Sequence, residues 1–345
     1  MRFAFTDEQR LFQESVRALL AKECPPELVR ARWEAADGGP TAWEGLSTLW
    51  EGLVEVGVVG LTVPEPSGGL GLGEVDLVLP LEETGRAAAP IPIVESTAVG
   101  VPLLAACPGD LGDHWLPAVA RGEAILTVGR PGSRFVADAD VADLLLLPSG
   151  DEVHAVERDR VGLVAQPSFD GARHLFSVEW DVKDSTVLAG GAEGRAAWDA
   201  ALDRSALAAA AQLVGLAQHL LDTTVEYACG REQFGQPIGG FQAVKHQLAD
   251  VALRIEFARP AVYRAAWSVH HDVAERARDV AMAKAYASDA GTLAARTALQ
   301  VHGAIAYTVE YDLHLWMKRA LALAVAWGDA DWHRSRVADA VIGAS

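Results

Sequence analysis

The chain has 345 residues, of which 50% are hydrophobic and 22% are charged, so it can bury a large core and is not intrinsically disordered. The length predicts two or three domains of about 100–200 residues each. With 29 Lys and Arg against 47 Asp and Glu, the net charge is −18, which argues against nucleic acid or an anionic membrane as a partner. A phosphate-bearing ligand would therefore be bound by a few local cations and backbone amides.

The three cysteines are far apart in the sequence and odd in number: Cys24, Cys107 and Cys229. This spacing supports neither a disulfide framework nor a structural zinc site. The first residues lack the apolar stretch of a signal peptide. The most apolar helical stretch, Ser205–Leu221, contains polar side chains and is too short to span a bilayer. We therefore expect a protein of the reducing cytoplasm that has no membrane partner.

The first part of the chain, from Thr6 to about Ala120, has a mainly helical pattern. Thr6 is a predicted N-cap, and apolar residues recur at helical spacing after it. A second helix is predicted from about Trp43 to Val56. The glycine-rich passage Gly57–Gly73 follows, and such clustering favours an ordered loop over a ligand site.

The middle of the chain, from Gly122 to about Leu188, has short apolar runs interrupted by Gly, Pro and Asp. The segment Phe176–Val182 alternates with a period of two, which is typical of a half-buried strand. We predict a small antiparallel β domain here.

The last part is alanine-rich and predicts long helices with short connections, which form a four-helix bundle. The predicted helices run from about Ala201 to Cys229, Gln242 to Asp272, Arg276 to Val301 and Asp312 to Ala326. The predicted fold is therefore mainly α with a small β domain. Its predicted domains are an N-terminal helical domain (1–120), a reduced middle β domain (121–190) and a C-terminal four-helix bundle (191–345).

Two stretches in the last third carry a more specific signal, Arg231–Gln242 (REQFGQPIGGFQ) and Gln300–Glu310 (QVHGAIAYTVE). In this order they resemble the C-terminal signatures of the acyl-CoA dehydrogenase family. The segments Phe5–Gln9, Gly57–Gly71 and Glu82–Arg86 resemble the family's opening, its N-terminal loop and the helix after that loop. The chain is identified as a member of this family over nearly its whole length.

The resemblance implies an FAD flavoprotein fold and the α,β-desaturation of an acyl-CoA thioester. In this family a carboxylate base removes a proton from the α carbon, and a hydride leaves the β carbon for the flavin. The family's two positions for the base fall here on Ser205 and Trp327, and neither side chain can take up a proton at neutral pH. The catalytic base is therefore predicted to be missing.

Asp203 is the alternative base, although a two-residue step on a helix turns a side chain by about 200° away from Ser205. Its other interpretation is an N-cap or first-turn acid that the helix dipole favours. Asp329 and Asp331 lie near the second base position and are weaker candidates. Together with His333 they could suggest a metal site, but the family uses no metal and none is predicted.

The family's flavin contacts come from two subunits, and this chain matches only one set. The loop that should lie beside the flavin ring is reduced to a poor remnant, Ile125–Ser133, and the family's tryptophan segment has no counterpart before Trp180. The residues that a subunit provides to its neighbour's FAD are retained. They are predicted to bind the cofactor: Arg231, Gln233, Phe234, Ile238, Gln242, Gln300, Gly303 and Ala304.

These predicted contacts have separate roles. Arg231 would pair with the pyrophosphate, Phe234 would pack on the cofactor, and the glutamines would donate amide hydrogen bonds. Gly303 allows close backbone approach, although the family's second glycine is here Ala304. His302 belongs to the same motif and is interpreted as structural.

This chain keeps the residues that contact a neighbouring subunit's flavin but has lost those that would contact its own flavin. The pattern predicts that the neighbouring subunit is a different chain. The resemblance therefore implies a subunit that shares FAD with a homologous catalytic chain, as in the α2β2 acyl-CoA dehydrogenases of actinobacteria. Its predicted substrate is an acyl-CoA, with CoA thioesters of steroid side chains as the family-level expectation, and its predicted electron acceptor is a protein such as electron-transfer flavoprotein. Two alternatives stay open: a self-sufficient homodimer that uses Asp203, and a helical scaffold without flavin.

Overall fold

The computed structural model describes residues 4–35, 43, 45–107 and 109–343. The chain forms two compact units, of which the first contains Met1–Pro80 and Pro90–Ala208 and the second contains Leu81–Ala89 and Ala209–Ser345. The division into three domains stays a prediction. Within the described part of the chain, no helix combines the length and apolar composition needed to cross a membrane.

The N-terminal segment is helical, as its periodicity predicts. The helices are α1 (Asp7–Glu23), α2 (Pro26–Glu34), α3 (Ser47–Glu55), α4 (Glu74–Arg86), α5 (Val101–Ala105) and α6 (Asp110–Ala120), with a π-helical turn over Val94–Gly100. Thr6 caps α1: its hydroxyl accepts from Gln9 N at 3.2 Å, and the Gln9 side chain accepts from Thr6 N at 2.9 Å. Of the helix predicted from about Trp43 to Val56, the structure shows α3 over Ser47–Glu55, and Trp43 is helical as well, while residue 44 lies outside the described residues.

The glycine-rich passage after α3 is an ordered loop that folds back on itself. Leu70 N donates to Gly60 O at 3.0 Å, and Gly71 N donates to Val63 O at 2.9 Å. A Cβ added at Gly69 would lie 2.2 Å from Val63 O, so only glycine allows this close approach.

The middle of the chain forms seven strands in two small sheets. The strands are β1 (Leu126–Val128), β2 (Phe135–Ala137), β3 (Leu144–Ser149), β4 (Glu152–Glu157), β5 (Gly162–Gln166), β6 (Leu175–Glu179) and β7 (Thr186–Ala189). One sheet has the order β1-β3-β4-β7 and the other β2-β6-β5. The prediction of a purely antiparallel domain is wrong at β1, which pairs with β3 in parallel. Because the intervening β2 belongs to the other sheet, the chain enters β3 in the same direction as β1.

A buried ionic cluster joins α2 to the β region of the first unit. The guanidinium of Arg32 lies 3.2 Å from Asp138 and 3.3 Å from Asp140, and the ring of His174 contacts Asp140 Oδ2 and Arg32 O at 3.0 Å each. Burial raises the pKa of Asp138. Burial also acts to raise the pKa of Asp140, but the hydrogen bond from His174 and the charge of Arg32 outweigh it and lower that pKa. The buried charges are thus paired, as a low-dielectric interior requires.

The C-terminal part contains the four predicted helices and one more. The elements are α7 (Gly191–Gly230), the hairpin strands β8 (Glu232–Gln233) and β9 (Gln236–Pro237), α8 (Gln242–His270), α9 (Arg276–His302), α10 (Leu313–Val325) and α11 (Ala330–Ile342). The predicted start of the first long helix at Ala201 is wrong, because α7 begins at Gly191. Good helix formers such as the alanines after Gly191 extend α7 backward despite Gly194.

The second unit includes the end of α4, which packs closely on α7. A Cβ added at Gly85 would lie 2.1 Å from Gln212 O, and one added at Gly215 would lie 1.9 Å from Glu82 O. The Gln212 amide also donates to Thr84 Oγ1 at 3.1 Å. The two helix backbones can approach this closely only because both positions are glycine.

We expect the second unit to lose stability in acid because of a histidine in α7, His219. The ring of His219 stacks on Trp316 with centroids 4.2 Å apart, and burial, with the charge of Arg86, lowers its pKa to about 4. The unfolded histidine binds a proton below its usual pKa of about 6.5, which the folded protein resists, so stability falls as the pH drops from about 6.5 towards 4. We expect this residue to reduce the free energy of unfolding by about 2–3 kcal/mol over that range.

Urea unfolding at neutral pH and near pH 4 measures this effect. His219→Phe keeps a stacked ring without a titrating group and should show a weaker pH dependence than the unmodified chain. His246→Gln, at an exposed position of α8, is the matched control. Equal pH dependence in His219→Phe and the unmodified chain would contradict the prediction.

Candidate functional site

The first motif forms a tight hairpin immediately after α7. Arg231 N continues the helical pattern by donating to Tyr227 O, and Ile238 N closes the hairpin by donating to Arg231 O, both at 2.8 Å. Phe234 and Gly235 form the tip, with φ values of +53° and +80°. Two successive positive φ angles are what a two-residue hairpin turn requires.

The side chains of this hairpin point outward. Arg231, Gln233 and Gln242 are exposed, Ile238 is half-buried, and Phe234 is 92% exposed. The Phe234 ring lies 6.1 Å from that of Phe241 in an edge-on arrangement. Within the described residues, no carboxylate forms a salt bridge with the Arg231 guanidinium. The hairpin therefore presents a cation, an aromatic ring and amides to an external ligand.

The second motif lies where α9 ends. Gln300 is exposed in the last turn, and the helix stops at Gly303, whose φ of +65° and ψ of −138° favour glycine. Ala304 is exposed in the 3₁₀ turn that follows, Gly303–Tyr307. The residue before Gly303 is His302, which is buried and whose Nδ1 lies 2.9 Å from Ala298 O.

The two motifs meet at one end of the second unit. Tyr227, one helical turn before Arg231, stacks on His302 with centroids 4.2 Å apart, and its hydroxyl donates to His302 O at 3.4 Å. Burial lowers the pKa of His302, consistent with a packing role for the ring. We call the exposed residues of both motifs, Arg231, Gln233, Phe234, Gln242, Gln300 and Ala304, the motif surface. It is open to solvent, so a ligand bound there would need a second surface to cover its other side.

The first of the two predicted base positions, Ser205, is buried in the interior of α7. Ser205 has no exposed surface, and its hydroxyl donates to Ala201 O at 2.7 Å. Asp203 is 1% exposed. The interpretation of Asp203 as an N-cap or first-turn acid is wrong, because α7 begins well before it at Gly191. Its assignment as a base stays a prediction.

The second predicted base position, Trp327, lies in a strained turn between α10 and α11. Trp327 has a φ of +59° and Gly328 a φ of +99°, and a bulky residue in this region carries a strain of about 1–3 kcal/mol. Lys284 is fully buried and stabilises this turn. Its Nζ donates to Ala324 O at 3.0 Å and to Gly328 O at 3.1 Å. His333 Nε2 donates to Trp327 O at 3.0 Å.

The acids near this turn have structural partners. Asp329 Oδ1 accepts from Trp332 N at 2.8 Å and so caps α11, and Asp331 Oδ1 accepts from Arg334 at 2.6 Å. Among the described residues, no group of three or more His, Cys, Asp or Glu is placed so that it could hold a metal ion. Lys284 was missed in the sequence, where a lysine in an alanine-rich helix reads as a solvent-exposed residue.

The predicted remnant of the loop beside the flavin ring, Ile125–Ser133, packs within the first unit. Thr127 is fully buried on β1, and its hydroxyl donates to Ala137 O at 2.6 Å. A Cβ at Gly129 would meet Leu147 and Pro148 side-chain atoms at 3.0 and 3.1 Å. Trp180 packs against the core of the β region. The Thr127 side chain is thus committed to the protein interior, whereas the motif surface offers an exposed guanidinium and amides, which are the donor types that a phosphate-bearing ligand such as FAD requires.

Two family models match the chain. The acyl-CoA dehydrogenase N-terminal domain matches residues 6–123, and the acyl-CoA dehydrogenase C-terminal domain matches residues 192–342. The chain belongs to the acyl-CoA dehydrogenase family. The predicted mainly α fold with a small β domain is confirmed, and so are the oxidoreductase class and the FAD cofactor of the family.

Several relatives are similar over most of their length. The acyl-CoA dehydrogenase IpdE2 of Mycolicibacterium smegmatis is 34% identical over 317 residues, which is 91% of this chain and 93% of the relative. A solved structure described as the Tcur3481–Tcur3483 steroid ACAD, G363A variant, has 26% identity and a TM-score of 0.86, and covers 97% of this chain and 98% of that one. A chain of the ChsE4–ChsE5 complex of Mycobacterium tuberculosis has 25% identity and a TM-score of 0.87, and the match covers 100% of this chain and 100% of that one.

Proposed function

We propose that this chain is the non-catalytic subunit of a heteromeric FAD-dependent acyl-CoA dehydrogenase. Its motif surface would bind the adenosine and pyrophosphate half of a flavin whose ring is held by a homologous catalytic chain. One observation carries the proposal: the residues for the FAD tail are exposed, while both base positions hold side chains that cannot accept the α proton.

The base positions support an inert half-site. The Ser205 hydroxyl is fully buried and bonded to the helix backbone, and an indole stands at Trp327. Bound FAD accepts the hydride in this family, but removal of the α proton needs a carboxylate against the substrate. That carboxylate would therefore come from the partner chain.

The exposed motif surface supports the proposal that a different chain is the neighbouring subunit. Arg231 provides a planar guanidinium that matches a pyrophosphate, and Gln233 and Gln300 add amide donors. A solvent-exposed set of this kind binds a dinucleotide firmly when a second protein surface covers the ligand's other side. The buried Thr127 supports assigning that second surface to a chain with an intact flavin loop.

The substrate class rests on the relatives. One similar structure is described as a steroid ACAD and another as a complex of two chains, ChsE4 and ChsE5. We extend both features to this chain: the complete enzyme would desaturate a CoA thioester of a steroid side chain and pass electrons to an acceptor such as electron-transfer flavoprotein.

Expression of the chain alone and together with a homologous, complete acyl-CoA dehydrogenase chain from the same genome tests the proposal. We expect the chain alone to be colourless and inactive, and the joint complex to contain FAD and to reduce a dye when acyl-CoA is added. Asp203→Asn, a nearly isosteric change, should leave turnover of the complex unchanged. Stoichiometric FAD and full activity in the chain alone would refute the proposal, as would a complex that stays colourless with its partner.

A further inference from the structure

A cleft of about 510 Å³ lies in the second unit and is lined by residues of α8, α9, α10 and α11. Its volume is in the range of small-molecule sites. The residues that matter for its chemistry are Arg254 of α8, Thr292, Leu293 and Arg296 of α9, and Val325 at the end of α10. None of them belongs to the motif surface or to the two predicted base positions.

The acidic side chains of the cleft have partners within the chain. Arg334 donates to Asp289 and to Asp331 at 2.6 Å each. Asp329 accepts from Trp332 N at 2.8 Å and so caps α11. The three carboxylates of the lining are therefore engaged in contacts that hold α9 and α11 in place.

Two arginines of the same cleft have no such partner. Arg254 and Arg296 are exposed, and neither makes a salt bridge or a side-chain hydrogen bond with any residue that the structure describes. Acids outnumber cations in this chain by 47 to 29, so the missing partner is not due to a shortage of carboxylates. Because the two guanidiniums come from different helices and line one cleft, a ligand bound there can contact both.

The other side chains of the cleft are small or apolar. Leu293 is half-buried on α9, and Val325 is 63% exposed. The Thr292 hydroxyl, one helical turn before Arg296, adds a neutral hydrogen-bonding group. A ligand that matches this lining has an apolar skeleton and two negative charges.

We propose that the cleft binds a small organic dianion, whose apolar skeleton carries either two carboxylates or one phosphate. A guanidinium offers two parallel N–H donors to either group. Two guanidiniums from different helices are both satisfied only by a ligand that carries two charges. The bound dianion would join α8 to α9 and so stabilise the folded second unit. This site needs no FAD and goes beyond the proposed function.

Calorimetric titration of the full chain with phthalate and, separately, with phenyl phosphate tests the inference. We expect one of these dianions to bind saturably, one molecule per chain, with a Kd below about 1 mM. The tighter of the two identifies carboxylates or phosphate as the recognised group. Benzoate has the same ring but a single charge, and it should bind at least about 10-fold more weakly, as expected when one contact to a charged group is lost.

Arginine variants locate the binding in the cleft. Arg254→Ala and, separately, Arg296→Ala should weaken the binding of the dianion about 10- to 100-fold, and Arg254→Lys should be intermediate because it keeps the charge without the planar donors. Arg10→Ala, at an exposed position of α1, is the matched control and should bind the dianion normally. Circular dichroism verifies that each variant is folded.

The joint complex separates this inference from the proposed function. Arg254 lies about 18 Å along α8 from Gln242, at 1.5 Å per residue, so Arg254→Ala should leave the FAD content of the complex unchanged. A complex without FAD would refute the proposed function but would not alter the titrations of the chain alone.

Three results would overturn the inference. The first is the absence of saturable binding by both dianions, and the second is equal affinity in Arg254→Ala and Arg10→Ala. The third is a dianion that binds the chain alone but not the joint complex, because the two arginines would then serve acids of the partner chain.

Discussion

Arg231→Ala is expected to weaken FAD binding by the joint complex about 10- to 100-fold, because a hydrogen-bonded contact to a charged group contributes about 1.5–3 kcal/mol. The residue is exposed at the base of the hairpin, so its replacement removes the pyrophosphate contact without opening a cavity. The thermal stability of the chain alone should not change. Titration of the apo complex with FAD, followed by flavin fluorescence, measures the effect.

Two further variants sharpen this prediction. Arg231→Lys keeps the charge but loses the planar, two-pronged donor arrangement, so FAD binding should be intermediate. Arg160→Ala removes another exposed arginine, with a side-chain exposure of 57%, that lies outside both motifs, and this variant should bind FAD normally. Equal FAD affinity in Arg231→Ala and Arg160→Ala would show that the hairpin does not contact the pyrophosphate.

Gly215→Ala is expected to destabilise the second unit by about 3 kcal/mol or more. Alanine ordinarily stabilises a helix by about 1 kcal/mol relative to glycine. At this position, however, the added Cβ would lie 1.9 Å from Glu82 O and 2.7 Å from Arg86 N, both backbone atoms of α4. The clash is relieved only if the helices separate, which would also break the bond between Thr84 and Gln212.

A second buried glycine provides the control for Gly215. A Cβ at Gly291 in α9 would lie 2.8 Å from Leu213 Cδ2, the end of a flexible side chain, which can move aside. Gly291→Ala should therefore change stability by less than about 1 kcal/mol. Thermal unfolding followed by circular dichroism should show a drop of about 6–12 °C for Gly215→Ala. Equal melting temperatures for the two variants would contradict the close packing of α4 and α7.

The helices were predictable because each has a local signal. Thr6 and Gln9 form a capping pair that can be read directly from the sequence, and apolar periodicity located α8, α9 and α10 to within a few residues. Two features depended on distant contacts instead. The early start of α7 brings Gly194 close to a distant residue, since a Cβ added at Gly194 would lie 2.0 Å from Asp151 O. The parallel pairing of β1 with β3 joins strands that are not consecutive in the chain.

The candidate site was predictable to the extent that exact residue patterns define it. The exposure of Arg231, Phe234 and Gln300 agrees with their predicted role, although their contact with FAD stays a prediction. Burial could not be read from the pattern. Asp203 was expected at a helix end but lies inside α7, and the fully buried Lys284 has the sequence environment of a surface lysine.

The turn at Trp327 is held by contacts to its backbone and not to its side chain. Lys284 and His333 both bind backbone oxygens there, those of Ala324, Gly328 and Trp327. None of these bonds depends on which side chain residue 327 carries. The backbone path of the segment is therefore fixed independently of the chemical character of residue 327, so that position can hold an acid or an indole while the hydrogen bonds of the turn stay the same.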